Sequence, residues 1–229
     1  MRALVSVVMP VHDGERYLAE AIESVLAQTH RELEVIVIDD GSSDGSAVLA
    51  EAYAPAVRCF SQEAAGIGAA RNRGVEMARG GFLAFLDADD LWKRRKLELQ
   101  LGAFEREPRP DLVFGHMRQF KSPDLDDATA ARIRCPDGLQ PGYLPSGLLV
   151  ARDAFERVGP FATGLQVGEF IDWMARAREL GLTEVMVPEH VLWRRLHDSN
   201  QGVRHRRDLA DFAQVLKASL DRRRAEAPQ

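Results

Sequence analysis

With 229 residues, 45% of them apolar and 28% charged, the chain has the length and make-up of one large folded domain, or of two small ones sharing a core. Thirty Lys and Arg against 35 Asp and Glu leave a formal charge of −5, which excludes a nucleic-acid-binding surface spread over the whole chain. No run approaches the roughly 20 apolar residues of a membrane span. The two cysteines, Cys59 and Cys135, lack any CxxC or zinc-type spacing, so reduced thiols and a cytoplasmic setting are expected.

The N-terminal run Val5 to Met9 is almost unbroken and β-branched, the pattern of a strand buried on both faces, with Pro10 expected to end it. It is too short for the core of a secretory leader. Asp13 is placed to cap a helix, in which Leu18, Ala21, Ile22, Val25 and Leu26 form one apolar face. A second strand, Leu33 to Ile38, runs into the loop Asp39-Asp40-Gly41-Ser42-Ser43-Asp44-Gly45 and a short helix around Ser46 to Tyr53. Val57 to Phe60 reads as a third strand. Gly66-Ile67-Gly68 opens a helix running to about Arg79, which Gly80-Gly81 stops. Phe82 to Leu86 is a fourth strand, ending at Asp87-Ala88-Asp89-Asp90.

This alternation predicts an α/β fold, a mostly parallel sheet with helices on both faces. Ligands on such sheets bind beyond the carboxyl ends of the strands, where both acidic clusters lie. The second half predicts a helix from Lys93 to Glu107, a strand from Asp111 to Phe120 and a long loop over 121–142. There follow a strand at Leu148 to Val150, helices at Asp153 to Val158 and about Phe170 to Leu180, and strands at Val185 to Val187 and Val191 to Leu196. A charged helix from about Arg207 to Arg223 closes the series.

Three segments carry chemistry. Three carboxylates within Asp87-Ala88-Asp89-Asp90 repel one another unless solvated or bridged by a cation, and as hard oxygen donors they suit Mg²⁺ or Mn²⁺. A solvated turn with Asp90 capping the next helix is the plainer reading. A carboxylate in the Asp39-Asp40 loop could accept the imide N–H of a uracil, or serve an Asx-type turn. The glycine-rich helix start at Gly66 offers free N–H groups, and Arg71 a positive fork, a combination that suits a nucleotide or simply close helix packing.

Together these segments resemble family 2 glycosyltransferases of the GT-A fold. The matching residues are Val8-Met9-Pro10-Val11, Ser24-Val25-Leu26-Ala27-Gln28-Thr29, Val37 through Asp44, Ala70-Arg71-Asn72-Arg73-Gly74 and Phe85 through Asp90. Val158-Gly159-Pro160-Phe161 resembles a later family segment. The resemblance implies a Rossmann-like nucleotide-sugar-binding half over 1–106 and a smaller acceptor-side and catalytic-base half over 107–203. A charged helix and tail over 204–229 complete the chain.

It further implies an inverting transfer from a nucleotide-diphospho-sugar, UDP-linked in the first instance, to an acceptor hydroxyl, assisted by Mn²⁺ or Mg²⁺. Pro10 and Val11 would wall the base pocket, Asp39 or Asp40 would read the base, and Gly66, Arg71 and Ala88 would line the nucleotide. Asp87 would hold the ribose and Asp89 the metal, with His197 completing the metal shell and Arg195 near the diphosphate. The acceptor stays open: a glycan, a lipid carrier, a small metabolite or a peptide.

The chain departs from the family at Gly168-Glu169-Phe170-Ile171-Asp172, where Phe170 stands in place of the usual aspartate base. Glu169, or else Asp172, is then the expected base. Two other enzyme classes fit less well. A haloacid-dehalogenase-type phosphatase would carry Thr or Val at position 91, which is Leu91, and its Asp-x-Asp after the first strand. A sugar-phosphate nucleotidyltransferase would have a Gly-rich basic loop where Pro10-Val11-His12-Asp13 stands. A sugar-nucleotide-binding module without turnover is the remaining alternative. The bunched Arg204, Arg206 and Arg207 suggest a surface or partner contact.

Overall fold

The computed structural model describes residues 3–165, 167–198, 200 and 209–226, so Arg204, Arg206 and Arg207 lie outside the described residues. The first half alternates as expected: β1 (Val5–Val11), α1 (Glu15–Leu26), β2 (Leu33–Asp40), α2 (Ser46–Glu51), β3 (Val57–Gln62), α3 (Ile67–Met77) and β4 (Phe82–Phe85). After it come β5 (Leu91–Trp92), α4 (Lys96–Ala103), β6 (Leu112–Lys121), α5 (Asp127–Arg132), β7 (Gln140–Pro141), a 3₁₀ turn (Pro145–Gly147) and β8 (Leu149–Ala151). The helices α6 (Arg152–Val158) and α7 (Glu169–Glu179), then β9 (Glu184–Leu196) and α8 (Leu209–Glu226), complete the described elements.

One sheet runs in the order β3-β2-β1-β4-β8-β6-β9-β5, with β7 added against β6. The part made by β3-β2-β1-β4 is parallel throughout. The pairs β4–β8, β6–β8, β6–β7 and β5–β9 are antiparallel, while β6 and β9 form a long parallel ladder. The two faces of β2 show how the layers form. Val35 and Val37 join Leu18, Ala21, Ile22 and Val25 of α1 in the main core, whereas Ile36 and Ile38 pack with Ala70 of α3 on the other side. Each of the four α1 side chains is wholly buried, which contributes about 1–3 kcal/mol apiece.

Several boundaries differ from the sequence reading. Pro10 does not end β1, which continues to Val11 in register with Asp39. The β4 ladder stops at Val8–Phe85, so beyond that point β1 has no strand on one side and Pro10 needs no ladder N–H there. Asp13 does not cap α1. It adopts a positive φ of 50° and its Oδ1 accepts from the Ser43 N–H, while the Glu15 N–H is met by Asp44 Oδ2 at 3.0 Å.

The 121–142 segment is not all loop, for it carries α5, capped by Asp126, and β7. The two strands predicted over 185–196 are one, β9, which bulges around Pro188 where the register skips from Val187 to His190. Gln28 is fully buried, donates to the Ser24 and Lys93 carbonyls and accepts from the Leu97 N–H. It thereby joins the end of α1 to the start of α4. No described helix is long and apolar enough to cross a membrane.

Candidate active site

The parallel strands deliver their carboxyl ends to one edge. Pro10 and Val11 finish β1 there, both buried, and Asp39 and Asp40 finish β2. The two aspartates leave β2 on opposite faces. Asp40 turns toward α3: its Oδ1 accepts from Gln62 Nε2 at 2.7 Å and the Ala65 N–H at 2.8 Å, and its Oδ2 from the Gly66 N–H at 2.8 Å. That holds the 62–66 loop and sets Gly66 at φ +88°, a conformation suited to glycine, just ahead of α3. Asp39 is buried as well, and its Oδ1 has no hydrogen-bond partner among the described residues.

The acidic run after β4 is divided among three environments. Asp87, whose N–H donates to Ser146 Oγ, accepts from Arg71 Nη2 at 2.7 Å. Asp89 turns its Oδ2 to His197 Nε2 and to Asn200 Nδ2, each at 2.9 Å. Asp90 is buried, and its Oδ1 accepts the Arg195 N–H at 3.1 Å. Burial pushes its pKa well above the usual carboxylate range, and the charges of Asp89 and Asp87 add to that shift. Ala88 sits close to Val11, both crowding against Gly14, where a Cβ would come within 2.7 Å of Val11 Cγ2.

Arg195 does not open toward a diphosphate. It lies only 2% exposed between the rings of Tyr17 and Phe120. Its Nε donates to the Asp89 carbonyl at 3.1 Å and its Nη2 to Glu20 Oε2 at 2.6 Å. It supports the acidic run from behind. His197 is held by its own N–H donating to Asn200 Oδ1 at 2.6 Å, and its ring lies 4.8 Å from that of Tyr17.

The carboxylates of α7 part ways. Glu169, the first residue of the helix, pairs with Arg71 Nη1 in the interior. Asp172, one turn on, lies between Arg176 Nε at 2.9 Å and Arg222 Nη1 of α8 at 3.2 Å. The structure thus joins Asp87, Arg71 and Glu169 in one cluster and puts Asp172 in a helix-to-helix ion-pair network. Phe170 points into the core between Phe114 and Trp173, so an aspartate in its place would lie among aromatic rings. Trp173 is wholly buried and stacked with Phe155.

Among the described residues no three or more His, Cys, Asp or Glu side chains are grouped to hold a metal. The Asp89–His197 pair fits a different kind of site. An oxygen and an imidazole nitrogen 2.9 Å apart, with the Asp89 side chain 28% exposed, suit a divalent ion that takes its other ligands from water and phosphate. A hollow of about 390 Å³ between α1, β5 and β9 is lined by Glu20, Glu23, Trp92, Lys93 and Trp193 among others. It includes none of Arg71, Asp87, Asp89, Glu169 or His197.

Sequence reasoning missed Ser146, which accepts the Asp87 N–H across 59 residues of chain, Glu20, which meets Arg195 across 175, and Tyr17, whose ring lies beside Arg195 and His197. Nothing local in the sequence marks them.

Residues 6–159 match the family model for glycosyl transferase family 2, which covers both acidic clusters and the Arg71 segment. The chain belongs to that family. The match ends ahead of Glu169. A glycosyltransferase of Nostoc sp. is 34% identical over 176 residues, covering 68% of this chain and 53% of the relative. The chain spans about half the length of that relative and smaller shares of others, 35% for a Rickettsia typhi glycosyltransferase.

Among solved structures, Staphylococcus aureus TarS 1–349 in complex with UDP-GlcNAc aligns with a TM-score of 0.69 at 20% identity. That alignment covers 86% of this chain and 60% of the other. The mannosyltransferase PcManGT of Pyrobaculum calidifontis, in complex with GDP-Man and Mn²⁺, aligns with a TM-score of 0.70 at 19% identity, over 100% of this chain and 66% of the other. These likenesses show the GT-A fold.

Proposed function

We propose that the protein is a glycosyltransferase that moves a sugar from a nucleoside-diphosphate sugar, a UDP-sugar in the first instance, to an acceptor hydroxyl with inversion. The observation that carries this reading is the meeting of Asp87, Arg71 and Glu169 at the edge where Pro10, Asp40 and Asp89 also end. Two named neighbours, one bound to UDP-GlcNAc and one to GDP-Man with Mn²⁺, support a donor of that class.

In this reading Pro10 and Val11 wall the base. Asp40 is the better base reader of the two aspartates, because it shares the α3 face with Arg71 and its Oδ2, accepting one N–H, keeps a lone pair for an imide. Asp87 takes the ribose hydroxyls. Asp89 and His197 would hold Mn²⁺ or Mg²⁺. Such an ion, when bound, neutralises the departing diphosphate.

The acceptor oxygen attacks the anomeric carbon on the face away from the diphosphate. The bond from that carbon to the phosphate oxygen breaks, and the acceptor's proton passes to the Glu169 carboxylate. Asp172, paired with Arg176 and Arg222, steadies α7. Arg195 backs Asp89 and does not touch the donor.

The test is release of UDP from UDP-GlcNAc, and from a panel of other nucleotide sugars, with Mn²⁺ present. Release that is lost in Asp89→Ala supports the proposal. Binding of the donor without release by the native protein favours a non-catalytic binding module, the reading that Phe170 and the ion pair on Glu169 speak for. Binding of no nucleotide sugar overturns both.

A further inference from the structure

We propose that Arg71 is a positioning residue that fixes the distance between the donor-side carboxylate Asp87 and the acceptor-side carboxylate Glu169, and that it makes no contact with the nucleotide. The inference rests on the transferase reading above, and refines it at this site.

The guanidinium is enclosed, with both terminal nitrogens on carboxylates. Nη2 donates to Asp87 Oδ1 at 2.7 Å and Nη1 to Glu169 Oε1. Nε is sealed from solvent with no acceptor among the described residues, and the residue is 1% exposed. Below it the Phe161 ring lies 5.8 Å away. A phosphate or a base would have to displace one of the two carboxylates to reach it. The two carboxylates also hold Arg71 firmly in its charged form, against the cost of burial.

The surrounding packing makes the placement rigid. Next to Arg71, Asn72 donates from Nδ2 to the Phe161 carbonyl and accepts the Phe161 N–H at Oδ1, both at 2.9 Å. Gly68 approaches so closely that a Cβ would lie 2.4 Å from the Ala162 carbonyl oxygen. So α3, a donor-side helix, clasps the 161–169 segment on the acceptor side at three successive points. Arg71 is the one of the three that ends on the two site carboxylates, Asp87 and Glu169. A planar fork can hold two carboxylates in one fixed geometry; the single ammonium of lysine cannot.

The experiment is steady-state UDP release from UDP-GlcNAc, or from whichever donor the native protein cleaves, by Arg71→Lys, Glu169→Gln and the double variant. Expected are a kcat lower by at least about tenfold in Arg71→Lys with a donor KM within about threefold, and little further loss when the change is added to Glu169→Gln. A donor KM raised by about tenfold or more with kcat kept makes Arg71 a nucleotide ligand and overturns the inference, as do losses that multiply in the double variant. Should Arg71→Lys not fold, the same cycle with Asp87→Asn and Glu169→Gln decides: less than multiplicative losses support the shared guanidinium, independent ones refute it. Failure of the native protein to cleave any donor defeats the transferase reading itself, and this inference with it.

Discussion

Glu20 on α1 meets Arg195 on β9 at 2.6 Å, across 175 residues of sequence, and the pair braces the acidic run from its rear. The two ends contribute unequally. The Glu20 side chain is 58% exposed, so Glu20→Gln should cost no more than about 1 kcal/mol. Arg195 is buried and also serves the Asp89 carbonyl and two aromatic rings, so Arg195→Met should cost about 2–3 kcal/mol. Urea unfolding of the two variants measures both values. Equal losses would show that the exposed carboxylate, and not the buried contacts, is what holds Arg195.

Gly74 of α3 packs against β1 so tightly that a Cβ would come within 2.3 Å of Val8 Cγ1. Gly74→Ala should therefore destabilise by about 1–3 kcal/mol through overpacking. Adding Val8→Ala should recover part of that loss, because it removes the methyl groups that clash. Thermal or denaturant melts of the two single variants and the double would show it; strictly additive losses would be the contrary result.

Lys96 is fully buried, with its Nζ 2.6 Å from Gln100 Oε1 and 4.2 Å from the Trp92 ring centre. Burial pushes its pKa well below the usual lysine value of 10.5. The unfolded chain therefore binds the Lys96 proton more tightly than the folded one between the lowered pKa and 10.5. Native stability rises with pH across that window. The stability of native protein relative to Lys96→Met should be greater at pH 10 than at pH 7, measured by denaturant unfolding at both. The opposite slope would mean that Gln100 and Trp92 outweigh the loss of hydration.

Asp89 and His197 form the pair offered as a metal site. Adding Mn²⁺ and UDP at about a hundred times Kd should stabilise the native protein by about 2.7 kcal/mol. Asp89→Asn and His197→Ala should each abolish most of the Mn²⁺-dependent part, read as a thermal shift with and without the ion. A shift that persists in both variants would place the ion elsewhere.

Cys59 is half-buried, and burial, with Glu51 and Asp39 nearby, pushes its pKa up to about 11. Its alkylation should be slow at pH 8 and should accelerate about tenfold per pH unit toward pH 10. Peptide mapping after iodoacetamide treatment at graded pH would report it, and fast labelling at pH 7 would contradict the shift.

The sequence by itself determined the α/β alternation, the parallel first half and the two acidic clusters at strand ends, because hydrophobic periodicity and short motifs are local properties of a chain. It also carried the family resemblance through Asp39-Asp40, Ala70-Arg71-Asn72 and Asp87 to Asp90. Only the tertiary structure decided what each charge faces. It sent Asp40 to α3 and Asp39 to the other side, turned Arg195 inward to Glu20, gave Glu169 to Arg71 and tied Asp172 to Arg222. A buried charge must find a counter-charge or a hydrogen bond. The partner that meets it, as Glu20 meets Arg195, arrives from a distant segment that no local pattern announces.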